Sequence, residues 1–266
     1  MSDWNPDLYK QFEDERTRPA RDLLAQVDSI PAGPVFDLGC GPGNSTELLV
    51  RRFPGVQVVG TDTSEAMLAS ARERLPGSRF ELSDISTWRA ASSATSSATS
   101  PAALIYANAS LQWVPDHAAL LPRLFAELAP GGTLAIQMPD NRDEPTHRLM
   151  REVAALAPWA EPIGDADRKR TPMLGVGGYY DLLAPLAARV QVWRTAYQHP
   201  MNDAAAIVEW VRATGLKPFI DPLTPALRAS FLEAYTRRIA EAYPAHADGR
   251  LLLAFPRLFI VAQKAA

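Results

Sequence analysis

The chain has 266 residues and a formal net charge of −3, from 27 basic and 30 acidic side chains. That length suits one α/β domain with elaborations, and a hydrophobic fraction of 47% is enough for a sizeable core. The charge balance leaves no global basic field for nucleic acid, and no apolar run approaches the roughly 20 residues of a membrane span.

Cys40 is the single cysteine, so no intrachain disulfide forms. Its use fits a reducing, cytoplasmic setting. The start, Met1-Ser2-Asp3-Trp4-Asn5-Pro6, lacks the basic-then-apolar order of a secretory signal. No nucleic acid, no membrane and no obligate protein partner is therefore expected.

Residues 3–28 carry loose helical periodicity through Tyr9, Phe12, Leu23, Leu24 and Val27. Proline is tolerated in a first helical turn, so Arg18-Pro19 predicts a break, with a second helix opening at Pro19. Glu13, Glu15, Arg16 and Arg21 read as a solvated, charge-laced face. Arg18 is set apart as a guanidinium able to meet a carboxylate of cofactor or substrate.

The stretch Val35-Phe36-Asp37-Leu38-Gly39-Cys40-Gly41-Pro42-Gly43-Asn44 predicts strand, tight turn and helix start. Glycine permits positive φ and close approach of a ligand to the backbone. Free N–H groups at the helix start favour a negative group. A dinucleotide fingerprint needs glycine where Asn44 stands, and no Gly-Lys-Ser/Thr follows for a phosphate loop.

The run Asp37 to Gly43 instead resembles the first motif of class I S-adenosylmethionine-dependent methyltransferases. The resemblance implies S-adenosyl-L-methionine as cofactor, held by Asp37, Gly39, Gly41 and Gly43. It also implies a Rossmann-like, mostly parallel seven-stranded sheet whose last strand is antiparallel.

Residues 56–61 predict the second strand, ended by Asp62 and Thr63. Asp62 lies about 20 residues past the glycines, where nucleotide-binding sheets place an acid on ribose hydroxyls; its structural alternative is a helix cap. A helix follows through Met67, Leu68, Ala71 and Leu75. Residues 79–83 form the third strand, with Asp84 and Ile85 after it; the resemblance places these two on the adenine. Three acids behind three successive strands are far more specific than any one of them.

Residues 89–103 are low-complexity sequence, too poor in large apolar groups to offset ordering entropy, and predict a mobile surface loop. Residues 104–107 predict strand four. Asn108, Gln112 and Trp113 then fall at the carboxyl end of the sheet, where ligands sit. Asn108 is assigned to the cofactor; Gln112 and Trp113 are assigned to the acceptor. No Asn/Asp-Pro-Pro-Tyr/Phe is present, which counts against methylation of a base or amide nitrogen.

A helix over 117–128 leads through Pro130-Gly131-Gly132 to strand five over 134–138. Further elements are a helix over 148–157, an irregular stretch to 178, strand six over 189–197, helices over 203–214 and 225–242, and a last strand split near Pro256. Residues 200–250 are long for a closing hairpin and predict a helical cap insert on a single 1–266 domain.

The blocks Trp4-Asn5-Pro6, Ala107 to His117, Gln137-Met138-Pro139-Asp140-Asn141, Glu144 to His147, Trp210 to Pro218 and Leu253 to Phe259 resemble the bacterial trans-aconitate 2-methyltransferase family over nearly the whole chain. That family implies methyl transfer to a carboxylate of a small tricarboxylate. Such an acid is already ionised at neutral pH, so neither a catalytic base nor a metal is expected. Rate then rests on alignment and exclusion of water. Arg18, Gln112, Trp113, His147, Tyr179, Arg194 and Arg257 are the acceptor candidates. Two readings stay open beside this one: a methyltransferase for another small or carrier-bound acid, and a non-catalytic S-adenosylmethionine-binding regulatory module.

Overall fold

The computed structural model describes residues 13–90, 100–169, 173–212 and 215–266, without the side chains of 13–16 and 168–169. The expected contributions of Trp4, Tyr9 and Phe12, and most of the low-complexity loop, lie outside the described residues. The chain divides into two compact units. One is Met1–Pro139, Pro172–Arg194 and Leu258–Ala266; the other is Asp140–Thr171 and Thr195–Arg257.

The first unit carries β1 (Val35–Leu38), β2 (Val58–Asp62), β3 (Arg79–Leu82), β4 (Ala102–Asn108) and β5 (Leu128–Pro139). With β6 (Arg189–Met201) and β7 (Leu251–Gln263) they form one seven-stranded sheet in the order β3-β2-β1-β4-β5-β7-β6. The pairs from β3 to β5 are parallel. At the other edge the Gly131 N–H bonds the Ala265 carbonyl and the Lys264 N–H bonds the Gly132 carbonyl, both at 2.9 Å. The start of β5 thus meets the end of β7, and β7 runs antiparallel. This is the Rossmann-like α/β sheet expected from the sequence.

Parallel strands buried on both faces read as continuous apolar runs. Phe36, Leu38, Ile105, Ala107, Leu134 and Ile136 line one face. They share a core with Leu120, Leu121, Leu124 and Phe125 of one helix and Tyr179 and Leu183 of another. Helix α1 (Glu13–Leu24) lies on the opposite face, where the Tyr106 hydroxyl donates to the Ala20 carbonyl at 2.6 Å.

Four of the differences from the sequence expectation have a direct physical cause. Pro19 opens no second helix; it sits inside α1. A proline there costs about 3 kcal/mol, and burial of Thr17, Ala20, Leu23 and Leu24 offsets it. Strand β4 begins at Ala102, because Ala102 and Ala103 are fully buried. Strand β5 begins at Leu128, with the glycines inside it as an irregularity: Ala102 pairs with Leu128, but Leu104 pairs with Thr133. Gly131 takes φ 74° there, which only glycine adopts at little cost. Strand β7 is unbroken through Pro256; proline lacks a donor, but its carbonyl accepts the Asp140 N–H at 2.9 Å.

The second unit is mainly helical and takes in 140–171 as well as the whole span of the predicted 200–250 insert. Phe231, Tyr235 and Ile239, at helical spacing on Pro225–Ala242, are fully buried. The Tyr235 hydroxyl donates to the Thr146 carbonyl at 2.9 Å. Trp159 packs edge-on against Phe231 with centroids 5.7 Å apart. Among the described residues no helix is long and apolar enough to cross a membrane.

Candidate cofactor and acceptor site

Strand β1 ends in a turn that the sheet itself shapes. The Gly39 and Cys40 N–H groups both bond the Thr61 carbonyl of β2, at 2.8 and 2.9 Å. Gly39, Gly41 and Gly43 all take positive φ, at 72°, 55° and 90°. Gly43 then caps helix α2 (Asn44–Arg52), with no side-chain cap bond at its start.

The three acids differ sharply. Asp37 is fully buried. Its Oδ2 accepts from Ser45 Oγ at 2.8 Å and Thr46 Oγ1 at 2.6 Å, and its Oδ1 has no hydrogen-bond partner. Asp37 therefore braces the helix start from beneath. Asp62 is half-buried: Oδ2 accepts from the Gly41 N–H and Oδ1 from the Ser64 N–H, both at 2.9 Å. Asp84 is exposed, and its Oδ1 accepts from the Ser86 N–H at 2.8 Å. Ile85 beside it is buried, and Thr63 is exposed.

Burial pushes the Asp37 carboxyl up to about 6, against the hydrogen bonds from Thr46 and Ser45, with the Asp62 charge adding a smaller push upward. In the unfolded chain the group titrates near ~3.9. The native state therefore holds a proton that the unfolded state has released, and stability falls as pH rises from about 4 to about 6. The Asp37→Asn variant loses this titration. Lowering pH from 7 to 5 should therefore raise wild-type stability by about 1 kcal/mol relative to the variant. Calorimetric melting of both proteins at the two pH values checks it; a pH-independent gap would contradict it.

Among the acceptor candidates, Arg18 is exposed in the middle of α1 rather than at a helix entrance, because the helix runs through Pro19. Gln112 is buried; its Nε2 donates to the Ala109 carbonyl at 2.7 Å, and its Oε1 is without a partner. Trp113 is exposed and Arg194 is exposed. Tyr179 is fully buried, and its hydroxyl lies 2.6 Å from His117 Nδ1. His117 Nε2 donates to the Leu111 carbonyl at 2.8 Å, so in the neutral ring Nδ1 accepts from Tyr179. That pairing makes Tyr179 part of the core behind β4. In the second unit, His147 and Arg257 are both buried and converge on Phe255. The His147 ring stands 6.3 Å from it, and the Arg257 guanidinium lies 4.6 Å above it.

Sequence reasoning passed over Ser45, Thr46 and Ser110. Ser110 Oγ donates to the Leu38 carbonyl at 2.7 Å, tying the segment after β4 to the glycine turn. The strand–turn–helix pattern already placed two hydroxyls in the first turn of α2, within reach of Asp37.

Residues 9–218 match the methyltransferase-domain family. Over 266 residues, 100% of both chains, the protein is 70% identical to Trans-aconitate 2-methyltransferase of Variovorax paradoxus. With the same coverage it is 65% identical to Trans-aconitate 2-methyltransferase of Paracidovorax citrulli. The chain belongs to the trans-aconitate 2-methyltransferase family. Its fold is also that of Haemonchus contortus phosphoethanolamine N-methyltransferase 2, solved with S-adenosyl-L-methionine. The TM-score is 0.52 at 16% identity, over 94% of this chain and 53% of that one.

S-adenosylmethionine is the cofactor of this methyltransferase, and the residues present fit it. A Cβ at Gly41 would meet nothing within 4 Å, so open space lies over the turn. The half-buried Asp62 carboxylate stands beside that turn, bonded to the Gly41 N–H, at the end of β2 where an acid suits a ribose diol. The start of α2, where Gly43 supplies no side-chain cap, suits a carboxylate.

Proposed function

We propose that this protein transfers the methyl group of S-adenosylmethionine to a carboxylate of trans-aconitate, giving the monomethyl ester and S-adenosylhomocysteine. The observation that carries the acceptor is the 70% identity over the full length of both chains to a Trans-aconitate 2-methyltransferase. When bound, S-adenosylmethionine supplies a methyl group made electrophilic by its sulfonium.

The protein's part is binding and alignment. Asp62 fixes the Gly41 backbone and presents acceptors for a diol. Asp37, through Ser45 and Thr46, holds the helix start in place. Asp84 and Ile85 stand together after β3, as a polar edge beside an apolar contact for the base. A carboxylate with pKa near ~4 is a competent nucleophile at neutral pH, so no side chain has to remove a proton. Rate comes from holding the oxygen in line and dry.

The test is a panel of small di- and tricarboxylates incubated with the protein and cofactor labelled in the methyl group, with products identified by mass spectrometry. Labelled monomethyl ester formed fastest from trans-aconitate is the expected result. Faster turnover of another acid moves the acceptor to that acid. Binding of S-adenosylhomocysteine with no turnover across the panel leaves a regulatory module instead.

A further inference from the structure

One buried side chain at the carboxyl edge of the sheet makes no hydrogen bond within the fold. Gln137 is fully buried on β5, and neither its Oε1 nor its Nε2 has a hydrogen-bond partner. Leaving both ends of an amide dry is costly, and native proteins keep such groups rarely. The Gln137 carbonyl accepts the Ala109 N–H at 2.8 Å, while both polar atoms of its side chain lack a partner.

Its surroundings point to a ligand. The parallel register sets Gln137 directly opposite Asn108, as it sets Ala135 opposite Tyr106. Register partners in a parallel pair share a face, so Asn108 and Gln137 point the same way as Tyr106, toward the side covered by α1. Asp37 pairs with Tyr106 across the next ladder and shares that face. Asn108 Oδ1 is likewise buried without a partner, and so is Gln112 Oε1 three residues after Ala109. Three amides with unused hydrogen-bonding atoms thus occur at the ends of β4 and β5, the edge where open α/β sheets hold their ligands.

We infer that Gln137 binds the reacting carboxylate of the acceptor, its Nε2–H donating to the oxygen that is not methylated. This rests on the carboxyl-methylating reading above. An amide suits the task better than a guanidinium. It orients the carboxylate through one directed bond yet adds no charge, so the attacking oxygen keeps its nucleophilicity. An arginine at the same point would neutralise the group that has to react.

The experiment compares wild type with Gln137→Leu and Gln137→Glu, using the best carboxylate acceptor from the panel. Replacing a buried unpaired amide by an apolar isostere leaves folding intact or improves it, so Gln137→Leu should melt at or above the wild-type temperature. Its KM for the acceptor should rise about tenfold to a hundredfold, the loss of one directed bond to a charged group. Affinity for S-adenosylhomocysteine should stay within about threefold by calorimetry, because that ligand makes no use of the amide. Gln137→Glu should raise KM further, through repulsion between like charges. A wild-type KM in Gln137→Leu overturns the inference, as does an equal loss of S-adenosylhomocysteine affinity. If wild type methylates no carboxylate at all, it is the functional reading that fails, and the two failures are told apart by the wild-type control.

Discussion

Replacing Asp62 with alanine should weaken S-adenosylhomocysteine binding by about two orders of magnitude, measured by titration calorimetry. The size follows from what one carboxylate does. It accepts the Gly41 N–H and the Ser64 N–H, each at 2.9 Å, and so fixes the middle of the glycine turn to the start of the next helix, α3 (Glu65–Arg74). Hydrogen bonds to a charged group contribute about 1.5–3 kcal/mol each. Losing the ribose contacts and the ordering of Gly41 together therefore removes about 3 kcal/mol of binding, or roughly a hundredfold. Asp62→Asn keeps one acceptor oxygen, so it holds one of the two N–H groups and should fall between wild type and alanine. The fold should survive both changes, because Ser64 still caps α3 by accepting the Met67 N–H at 3.3 Å. Affinity of Asp62→Ala within threefold of wild type would remove Asp62 from the cofactor site.

That acid was legible in the sequence because its signals are local. A strand, a glycine turn and an acid about 20 residues on are set by spacing alone. Helix Pro225–Ala242 was legible for the same reason: Thr224 caps it, accepting the Leu227 N–H at 3.4 Å, and Pro225 opens it. What the sequence concealed depends on distant partners. Pro19 looked like a helix start, yet burial of Leu23 and Leu24 keeps the helix continuous through it. The glycines after Pro130 looked like the loop before a strand; only pairing of Leu128 with Ala102 reveals them as an irregularity inside it.

The site shows the same division. Asp37 lies inside β1, Asp62 ends β2 and Asp84 follows β3, and only the structure separates a buried brace from a half-buried pin and an exposed edge. Tyr179 was chosen for its hydroxyl, and His117, 62 residues away in the chain, takes that hydroxyl into the core. Gln137 was not among the acceptor candidates, because a single amide between Ile136 and Met138 looks like ordinary strand alternation. Its lack of any partner is visible only once the strands are paired.

Gly39→Ala and Gly41→Ala should separate stability from binding, although the two positions are two residues apart and both take positive φ. At Gly39 (φ 72°) an added Cβ would fall 2.3 Å from Ser110 Cβ. Ser110 cannot retreat without breaking its 2.7 Å bond to the Leu38 carbonyl. Left-handed strain of about 1–2 kcal/mol and overpacking of about 1–3 kcal/mol then add. A total near 3 kcal/mol should lower the melting temperature by about 10 °C for a chain of this size. At Gly41 (φ 55°) the added Cβ meets nothing within 4 Å, so only the left-handed strain applies, and the melting temperature should drop by a few degrees. The new methyl, however, projects into the space over the turn. Affinity for S-adenosylhomocysteine should fall at least about tenfold in a protein that is otherwise folded. Scanning calorimetry and ligand titration on the same preparations read both effects. If Gly41→Ala binds as tightly as wild type, the cofactor does not lie over this bend. If Gly39→Ala melts with wild type, Ser110 has room that its bond to Leu38 denies it.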